Sequence, residues 1–416
     1  MLHYSVAIRA FGSHNAAVRH LRRAALILIP SMLVLYAIMA YQLRKHMVDG
    51  YSDFISAYTA AKILQRGEPH RLYDLQLQSQ IQRDVAPNVS SRGGALPFVR
   101  PPFEAWLFYP LARFSYPTAF CVWTIASCAF LFIAMALLRR HNRLLQSFPL
   151  LMVSLAALSF FPVFMTLLQG QDSILLFLIY VLSYAALVRG SVMAAGAILA
   201  LGLFKFPLVL PFLLVFILRG KARFLAGFVV VAGVLILLSI GMVGLAGIGG
   251  YIHYLASIDA LAPGVNISRD MPNLRGLLAL VDGPGLSLLS TSILIVASAV
   301  VLAIVAAVWT NPDGDADLPA KVSLNVLATI LVSYHAHVFD LALLIIPICV
   351  GLELLLYGQL DRRSRVLLAW STGLAAFSPL YVILVFSLRG APVLAVLVLG
   401  VGVALTRTIR PKMNPA

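Results

Sequence analysis

The chain has few charged residues, which make up 11% of its 416 positions, whereas ordinary soluble domains carry about 25%. Because 61% of the residues are hydrophobic, they cannot all be buried in one or two soluble cores, and a water-soluble enzyme is excluded. The three cysteines, Cys121, Cys128 and Cys349, all lie in apolar runs, so neither a disulfide framework nor a zinc site finds support. A phosphate-binding glycine motif, a dinucleotide fingerprint and a Gly-x-Ser-x-Gly nucleophile elbow are also missing.

Long apolar runs recur along the chain from Leu26 to Leu405. Many are close to the ~20 residues that cross a ~30 Å hydrocarbon layer. This pattern predicts an all-α polytopic membrane protein with about ten to twelve transmembrane helices. Two segments, 192–204 and 206–218, are too short to span alone. We expect them to form one bent or re-entrant element that is broken at Lys205-Phe206-Pro207, because proline removes a backbone donor.

The predicted organisation is a basic amino terminus (1–23), one transmembrane domain (24–406) and a basic tail (407–416). The net charge of +15 comes from residues that sit mostly at the ends of apolar runs, which favours cytoplasmic loops over nucleic-acid binding. With the amino terminus in the cytoplasm, the long loops 44–115 and 248–286 face the exterior, and the first is expected to carry interfacial amphipathic helices. We therefore expect an integral protein of a bacterial plasma (inner) membrane that has no nucleic-acid partner.

Two polar residues of the first loop are candidates for chemistry. Asp53 begins a predicted helix with one apolar face, so its carboxylate either caps that helix or acts as a general base toward a hydroxyl substrate. Arg100 precedes two prolines that fix an extended backbone and aim the side chain. Its guanidinium either pairs with a lipid phosphate or only meets headgroups.

Gln171 and Lys205 are further candidates at the exterior ends of apolar segments. The tight turn that contains Gln171 either simply connects two helices or grips sugar hydroxyls. Lys205 is surrounded by apolar residues, and a cation at membrane depth costs about 2.5–3.5 kcal/mol, so it needs an anionic partner or a polar cavity. Asp172 or Asp340 can supply a structural partner, and a phosphate ligand is the alternative that we favour.

The remaining candidates lie in the second exterior loop and in a later exterior turn. Asn273 and Arg275 precede an apolar stretch and either cap it or contact substrate. The turn carries His335, His337 and Asp340. A His-x-His pair followed by an acid is able to bind a metal, but no other Cys/His cluster supports one, and hydrogen bonding to a polar ligand or to Lys205 is favoured.

Seven short motifs follow one another along the chain in a defined order: Asp53-Phe54, Arg100-Pro101-Pro102-Phe103, Trp123, Gly170-Gln171, Lys205-x-Pro207, Asn273-Leu274-Arg275-Gly276 and Asp340-Leu341. In this order and spacing the chain resembles glycosyltransferase family 87, whose members are integral membrane enzymes of the GT-C fold. The resemblance extends from about Asp53 to Pro347. It implies a GT-C-like fold and a hexosyltransferase activity.

The resemblance further implies transfer of a hexose, mannose in the best-known relatives, from a polyprenyl-phosphate-linked donor to an acceptor hydroxyl at the exterior membrane face. It maps the catalytic acid of the first exterior loop onto Asp53. Arg100, Lys205 and Arg275 are expected to stabilise the phosphate leaving group. The other predicted substrate-binding residues are Gln171, Asn273, His335, His337 and Asp340. No metal or other cofactor is expected, and the partners are the lipid-linked donor, an unidentified acceptor and membrane lipids.

A secondary transporter is the main alternative. In it, Lys205 with Asp172, Asp340 and the two histidines would form a proton or solute pathway. The sequence has no visible inverted repeat, its large polar loop lies on one side, and the interior halves of its helices are apolar, all of which argue against transport. A lipid-interaction or assembly subunit without catalysis would leave the clustered exterior polar residues unexplained.

Overall fold

The computed structural model describes residues 2–86, 96–261, 268–283, 285–309 and 317–409. The described chain is 84% helical and contains no strands. Outside the described residues lie residue 1 of the predicted amino terminus, 87–95 of the first loop, 262–267 and 284 of the second loop, 310–316 of the predicted transmembrane domain, and 410–416 of the tail.

Nineteen α-helices occur in these described ranges. They are α1 (Leu2–Val48), α2 (Phe54–Gln65), α3 (Leu75–Val85), α4 (Pro102–Phe108), α5 (Tyr116–Arg140), α6 (Arg143–Gln146), α7 (Leu150–Leu158), α8 (Phe161–Gln169), α9 (Ser173–Val188), α10 (Val192–Ala200), α11 (Phe206–Leu218), α12 (Ala222–Leu261), α13 (Leu274–Asp282), α14 (Leu288–Val308), α15 (Leu318–Val332), α16 (Ile345–Tyr357), α17 (Arg362–Ala376), α18 (Ser378–Val382) and α19 (Leu394–Thr408).

The apolar helices confirm an all-α polytopic membrane protein. By length and composition, seven described helical segments can cross a membrane, or nine if two bent pairs each form one span. The bends are 70° between α7 and α8 and 58° between α17 and the segment that begins at α18. This count is lower than the ten to twelve spans expected, because α9 and α15 have only 16 and 15 residues and because α10 and α11 join.

The break predicted between α10 and α11 is present. A 3-10 segment, Leu201–Lys205, joins the two helices, and Pro207 occupies the first turn of α11, where a missing backbone donor is tolerated. The whole stretch from Val192 to Leu218 has 27 residues and is long and apolar enough to cross a membrane. The junction leaves Lys205 buried at a helix start, with 2% of its surface exposed.

The second predicted exterior loop, 248–286, is largely helical in the described residues. Helix α12 continues to Leu261 after a kink at Gly244, whose φ of 73° lies in the left-handed region that glycine adopts most readily. Beyond the kink, Tyr251 stacks on Tyr73 with ring centroids 4.8 Å apart. This aromatic packing holds the end of α12 against the first loop.

The first predicted loop begins later than expected, since α1 continues to Val48. Three helices, α2, α3 and α4, lie within it, as the expectation of helical segments in this loop requires. Side chains of α2 such as Phe54 and Tyr58 are buried in an aromatic cluster with Tyr116 of α5. This cluster fixes Asp53, which directly precedes α2.

The main hydrophobic core surrounds α9 and α15, most of whose residues are buried. A helix that is apolar on all sides is typical of such a central position. Other helices, including α12 and α14, expose many large apolar side chains, as expected of surfaces that contact lipid. Helices α10 and α12 approach closely through glycine, because a Cβ on Gly196 would lie 1.9 Å from the carbonyl oxygen of Phe224.

Candidate active site

A cavity of about 680 Å³ opens where the ends of several helices meet. Its polar lining includes Asp53, Arg100, Glu104, Gln171 and Asp172, together with the turn that carries His335 and His337. These residues come from the start of α2, from α4 and the segment that leads into it, from the turn between α8 and α9, and from the segment before α16. Groups that are distant in sequence therefore share one pocket.

Glycine allows the turn between α8 and α9 to pack on α2. Gly170 ends α8 with φ of 62°, and a Cβ there would lie 2.7 Å from the Cβ of Phe54. The indole N–H of Trp123 donates to the Gly170 carbonyl at 3.0 Å. These contacts hold Gln171 beside the start of α2.

Gln171 bridges a carboxylate and a guanidinium across the cavity. Its amide nitrogen donates to Oδ2 of Asp53 at 2.8 Å, and its Oε1 accepts from Arg100 at 3.4 Å. Asp53 occupies the N-cap position of α2, but its side chain makes no capping hydrogen bond. The half-buried carboxylate therefore faces the cavity and does not serve as a helix cap.

The backbone around Arg100 is fixed as the prolines predict. Pro101 is extended (φ −58°, ψ 150°), α4 begins at Pro102, and the hydroxyl of Tyr73 donates to the Arg100 carbonyl at 2.8 Å. The guanidinium lies 3.8 Å from Oδ1 of Asp172, and 20% of the side-chain surface remains exposed. This is a loose ion pair in which the cation still borders the cavity.

Lys205 lies behind the cavity wall between two carboxylates. Its Nζ is 2.7 Å from Oδ1 of Asp172 and 2.6 Å from Oδ1 of Asp340, and Ser173 donates to the same Asp340 oxygen at 2.7 Å. We call Lys205, Asp172 and Asp340 the buried charge cluster, since each is at most 4% exposed. Lys205 thus has the structural partners that its burial demands.

The buried charge cluster is the structural pairing that was one of the alternatives for Lys205. Lys205 and Asp340 contact each other and are absent from the cavity lining, and their roles as ligands of a donor phosphate or sugar stay predictions. Burial alone would raise the pKa of Asp172, but the neighbouring Lys205 and then Arg100 outweigh it and hold that pKa well below its usual range. Asp172 is therefore an anion that anchors both cations.

Glu104 is a lining residue that the sequence analysis missed. It lies in α4, is 3% exposed, and its Oε2 has no hydrogen-bond partner among the described residues. Burial first, and then the negative charge of Asp172, raise the pKa of Glu104 well above its usual value. The signal available in the sequence was an acid set among apolar residues four positions after Arg100.

The two histidines of the turn before α16 line the cavity as a pair with ring centroids 4.5 Å apart. Burial, and then the nearby charges of His337 and Arg100, lower the pKa of His335 well below its ordinary value. Burial also lowers the pKa of His337, although Asp340 and Asp53 oppose the shift. Both shifts favour the neutral imidazole, which offers the cavity an uncharged hydrogen-bonding group.

Residues 98–334, more than half of the chain, match the sequence model of glycosyltransferase family 87. The chain belongs to this family. The matched region contains Arg100, Gln171 and Lys205, whereas Asp53 and the turn from His335 onward lie outside it. No curated protein and no solved structure matches the chain. The resemblance to family 87 is thus confirmed, and the protein is a membrane glycosyltransferase.

Two predicted substrate-binding residues of this family 87 enzyme have structural partners and do not line the cavity. Asn273 caps α13 by accepting from the Gly276 N–H at 2.8 Å, and its amide donates to the Ser333 carbonyl at 2.8 Å. Arg275 donates to the Tyr334 carbonyl at 3.1 Å and lies over the Tyr334 ring. Of the two alternatives open for Asn273, capping is the one present. Both residues hold the turn that presents the histidines.

A metal-binding cluster was weighed for the His335–Asp340 turn of the glycosyltransferase. No group of three or more His, Cys, Asp or Glu residues is arranged to hold a metal ion within the described part of the chain. Asp340 instead accepts the backbone N–H of His337 at 2.9 Å and pairs with Lys205. The acid of this turn is therefore committed to fixing the turn itself.

Proposed function

We propose that this family 87 enzyme transfers a hexose, with mannose as the first candidate, from a polyprenyl-phosphate-linked donor to an acceptor hydroxyl. The reaction takes place at the exterior face of a bacterial plasma membrane. The observation that carries the proposal is the cavity in which Gln171 connects the carboxylate of Asp53 to the cation of Arg100. A proton acceptor and an anion-binding group are what transfer from a phosphate leaving group needs.

In the proposed mechanism, Asp53 accepts the proton of the acceptor hydroxyl as the hydroxyl oxygen attacks the anomeric carbon of the sugar. The new carbon–oxygen bond forms while the bond from that carbon to the phosphate oxygen breaks, with inversion at the sugar. The released polyprenyl phosphate carries the additional negative charge, which Arg100 offsets. Gln171 holds the Asp53 carboxylate in place through its 2.8 Å hydrogen bond.

An apolar groove beside the cavity supports a lipid-linked donor. The groove has a volume of about 810 Å³ and runs between α4 and α12, where Phe103 and Trp106 face Leu237 and Met242. Helix α4 borders both spaces, since Glu104 of the same helix lines the cavity. A polyprenyl tail in the groove would therefore reach the lipid bilayer while its phosphate lies near the polar cavity.

The test uses the purified full chain in lipid with several labelled polyprenyl-phosphate hexoses and a mixture of hydroxyl acceptors. Wild-type protein is expected to move label from one of these donors. Asp53→Asn is expected to lower turnover by about 100-fold or more, because general bases contribute 10²–10⁴-fold. Asp84→Asn is the matched control, since Asp84 is an exposed acid of the same loop that lies 3.7 Å from Arg66 and outside the cavity.

Two results would count against the proposal. Wild-type turnover in Asp53→Asn, with equal protein in the membrane, would remove the proposed base. Transfer from a nucleotide sugar, combined with no transfer from any polyprenyl-phosphate hexose, would show that the donor class is wrong.

A further inference from the structure

Glu104 is surrounded by charged and phenolic groups from five parts of the chain. The side chains that interact electrostatically with its carboxyl group are Arg100 before α4, Asp172 between α8 and α9, Lys205 before α11, Tyr73 before α3 and Tyr251 of α12. Glu104 itself is 3% exposed, and its Oε2 has no hydrogen-bond partner among the described residues. A buried polar atom without a partner calls for an explanation.

The charges nearby balance without Glu104. Lys205 pairs with Asp172 and Asp340, and Arg100 lies 3.8 Å from Asp172, so two cations face two carboxylates. An ionised Glu104 would be a third buried carboxylate with no cation of its own. Such a group takes up a proton more readily than it bears the cost of an unpaired buried charge. Burial and the charge of Asp172 both act in this direction.

We propose that Glu104 is a neutral carboxylic acid in the working enzyme, and that it donates its proton in a hydrogen bond to Asp172 and thereby positions Arg100. A neutral Glu104 leaves Arg100 with one loosely held anionic partner. The guanidinium is then able to turn toward the anionic group of the donor. An ionised Glu104 would draw Arg100 away from the cavity and weaken donor binding.

The protonation state is tested by infrared spectroscopy on the full chain in lipid. The wild-type minus Glu104→Gln difference spectrum at neutral pH is expected to contain the carbonyl band of a protonated carboxylic acid. Asp172→Asn is expected to shift the loss of this band to lower pH, because a glutamate beside a neutral asparagine ionises more easily. A spectrum that contains only carboxylate bands for Glu104 at neutral pH would overturn the proposal.

Isotopically labelled glutamate provides a measurement that needs no substitution. The chain contains three glutamates, and only Glu104 is fully buried beside another acid. Labelling is expected to shift the protonated-acid band of the wild-type protein and therefore to assign it to glutamate. If labelling leaves that band in place, the band belongs to an aspartate and the proposal fails.

The positioning role rests on the proposed function and is tested by the pH dependence of transfer. The KM for the lipid-linked donor is expected to rise at alkaline pH in the wild type and to stay flat in Glu104→Gln, which cannot ionise. Glu104→Ala is expected to lower kcat/KM by about 10- to 100-fold at every pH, the loss typical of a hydrogen bond to a charged group.

An alkaline rise in KM that persists in Glu104→Gln would refute the positioning role. So would equal damage in Glu104→Gln and Glu104→Ala when both unfold at the wild-type temperature. If the wild-type protein transfers no label at all, the proposed function fails while the infrared measurement still decides the state of Glu104.

Discussion

Replacing Lys205 with methionine shows whether this cation stabilises the fold or binds the substrate. The side chain is 2% exposed and its Nζ lies within 2.7 Å of both Asp172 and Asp340. In Lys205→Met, Asp172 retains Arg100 at 3.8 Å, but Asp340 loses its only ion-pair partner in the described structure. Asp340 then becomes a buried carboxylate that must either take up a proton or disrupt the turn it holds.

The expected loss of stability in Lys205→Met follows from the burial of its ion pairs. Removing one partner of a buried ion pair typically destabilises a protein by about 3–5 kcal/mol, because the other charge stays buried and unpaired. Arg71 provides a matched comparison, since it also lies between two acids, Glu68 at 2.8 Å and Asp74 at 2.7 Å, but is 43% exposed. Water screens exposed pairs and they contribute little to stability, so Arg71→Met should destabilise the protein far less than Lys205→Met.

The measurement is thermal or denaturant unfolding of the purified variants in lipid, followed by transfer activity at a temperature where each variant is folded. Lys205→Met combined with Asp340→Asn is expected to recover a large part of the lost stability, because it removes the orphaned charge together with the cation. The reasoning is refuted if Lys205→Met unfolds like the wild type and only raises the KM for the donor. That outcome would make Lys205 a phosphate ligand after all.

Three further predictions follow from single contacts. Gln171→Ala should lower kcat/KM by about 10- to 100-fold through loss of the 2.8 Å bond to Asp53, and an unchanged rate would remove Gln171 from the site. Asn273→Ala should lower stability by about 1–2 kcal/mol through its lost cap while the donor KM stays the same; a higher KM at full stability would restore it as a ligand. Gly196→Ala should cost at least about 1–3 kcal/mol by forcing α10 from α12, whereas Gly241→Ala, which meets no atom within 4 Å, is the control. Equal stability of these two glycine variants would contradict the close approach.

The sequence predicted the helices, their breaks and the ion-pair partners of Lys205 better than it predicted which side chains face the cavity. Hydropathy and proline positions were sufficient for the break at Lys205 and the extended backbone at Arg100. Because a buried cation needs an anionic partner, Asp172 or Asp340 was predicted to pair with Lys205. In the structure Lys205 contacts both. Asn273 differs, because its partner is the Ser333 carbonyl, a backbone atom sixty positions away that no side-chain pattern reveals.

Glu104 carries the same kind of sequence signal as Lys205, a charged residue among apolar ones. An acid between Phe103 and Ala105 in an apolar helix carries the same desolvation cost as a cation in an apolar run. The two groups differ in how the cost of burying their charge is offset. A carboxylate whose pKa is raised by burial reaches neutrality by accepting a proton, whereas the ammonium group of Lys205 contacts two acids. A buried acid in a short interfacial helix is therefore as good a candidate for a site residue as a buried cation.

The charge balance of the site also bears on the class of donor. With Glu104 neutral, Lys205 and Arg100 balance Asp172 and Asp340, and Asp53 and Asp270 are the other acids of the cavity wall. A donor that carries one negative charge, as a polyprenyl-phosphate sugar does, meets these two acids and the cation of Arg100. A diphosphate-linked sugar carries a second negative charge, and among the described residues the cavity lining offers no second Lys or Arg to bind it. This balance of charges supports the proposed monophosphate donor over a diphosphate one.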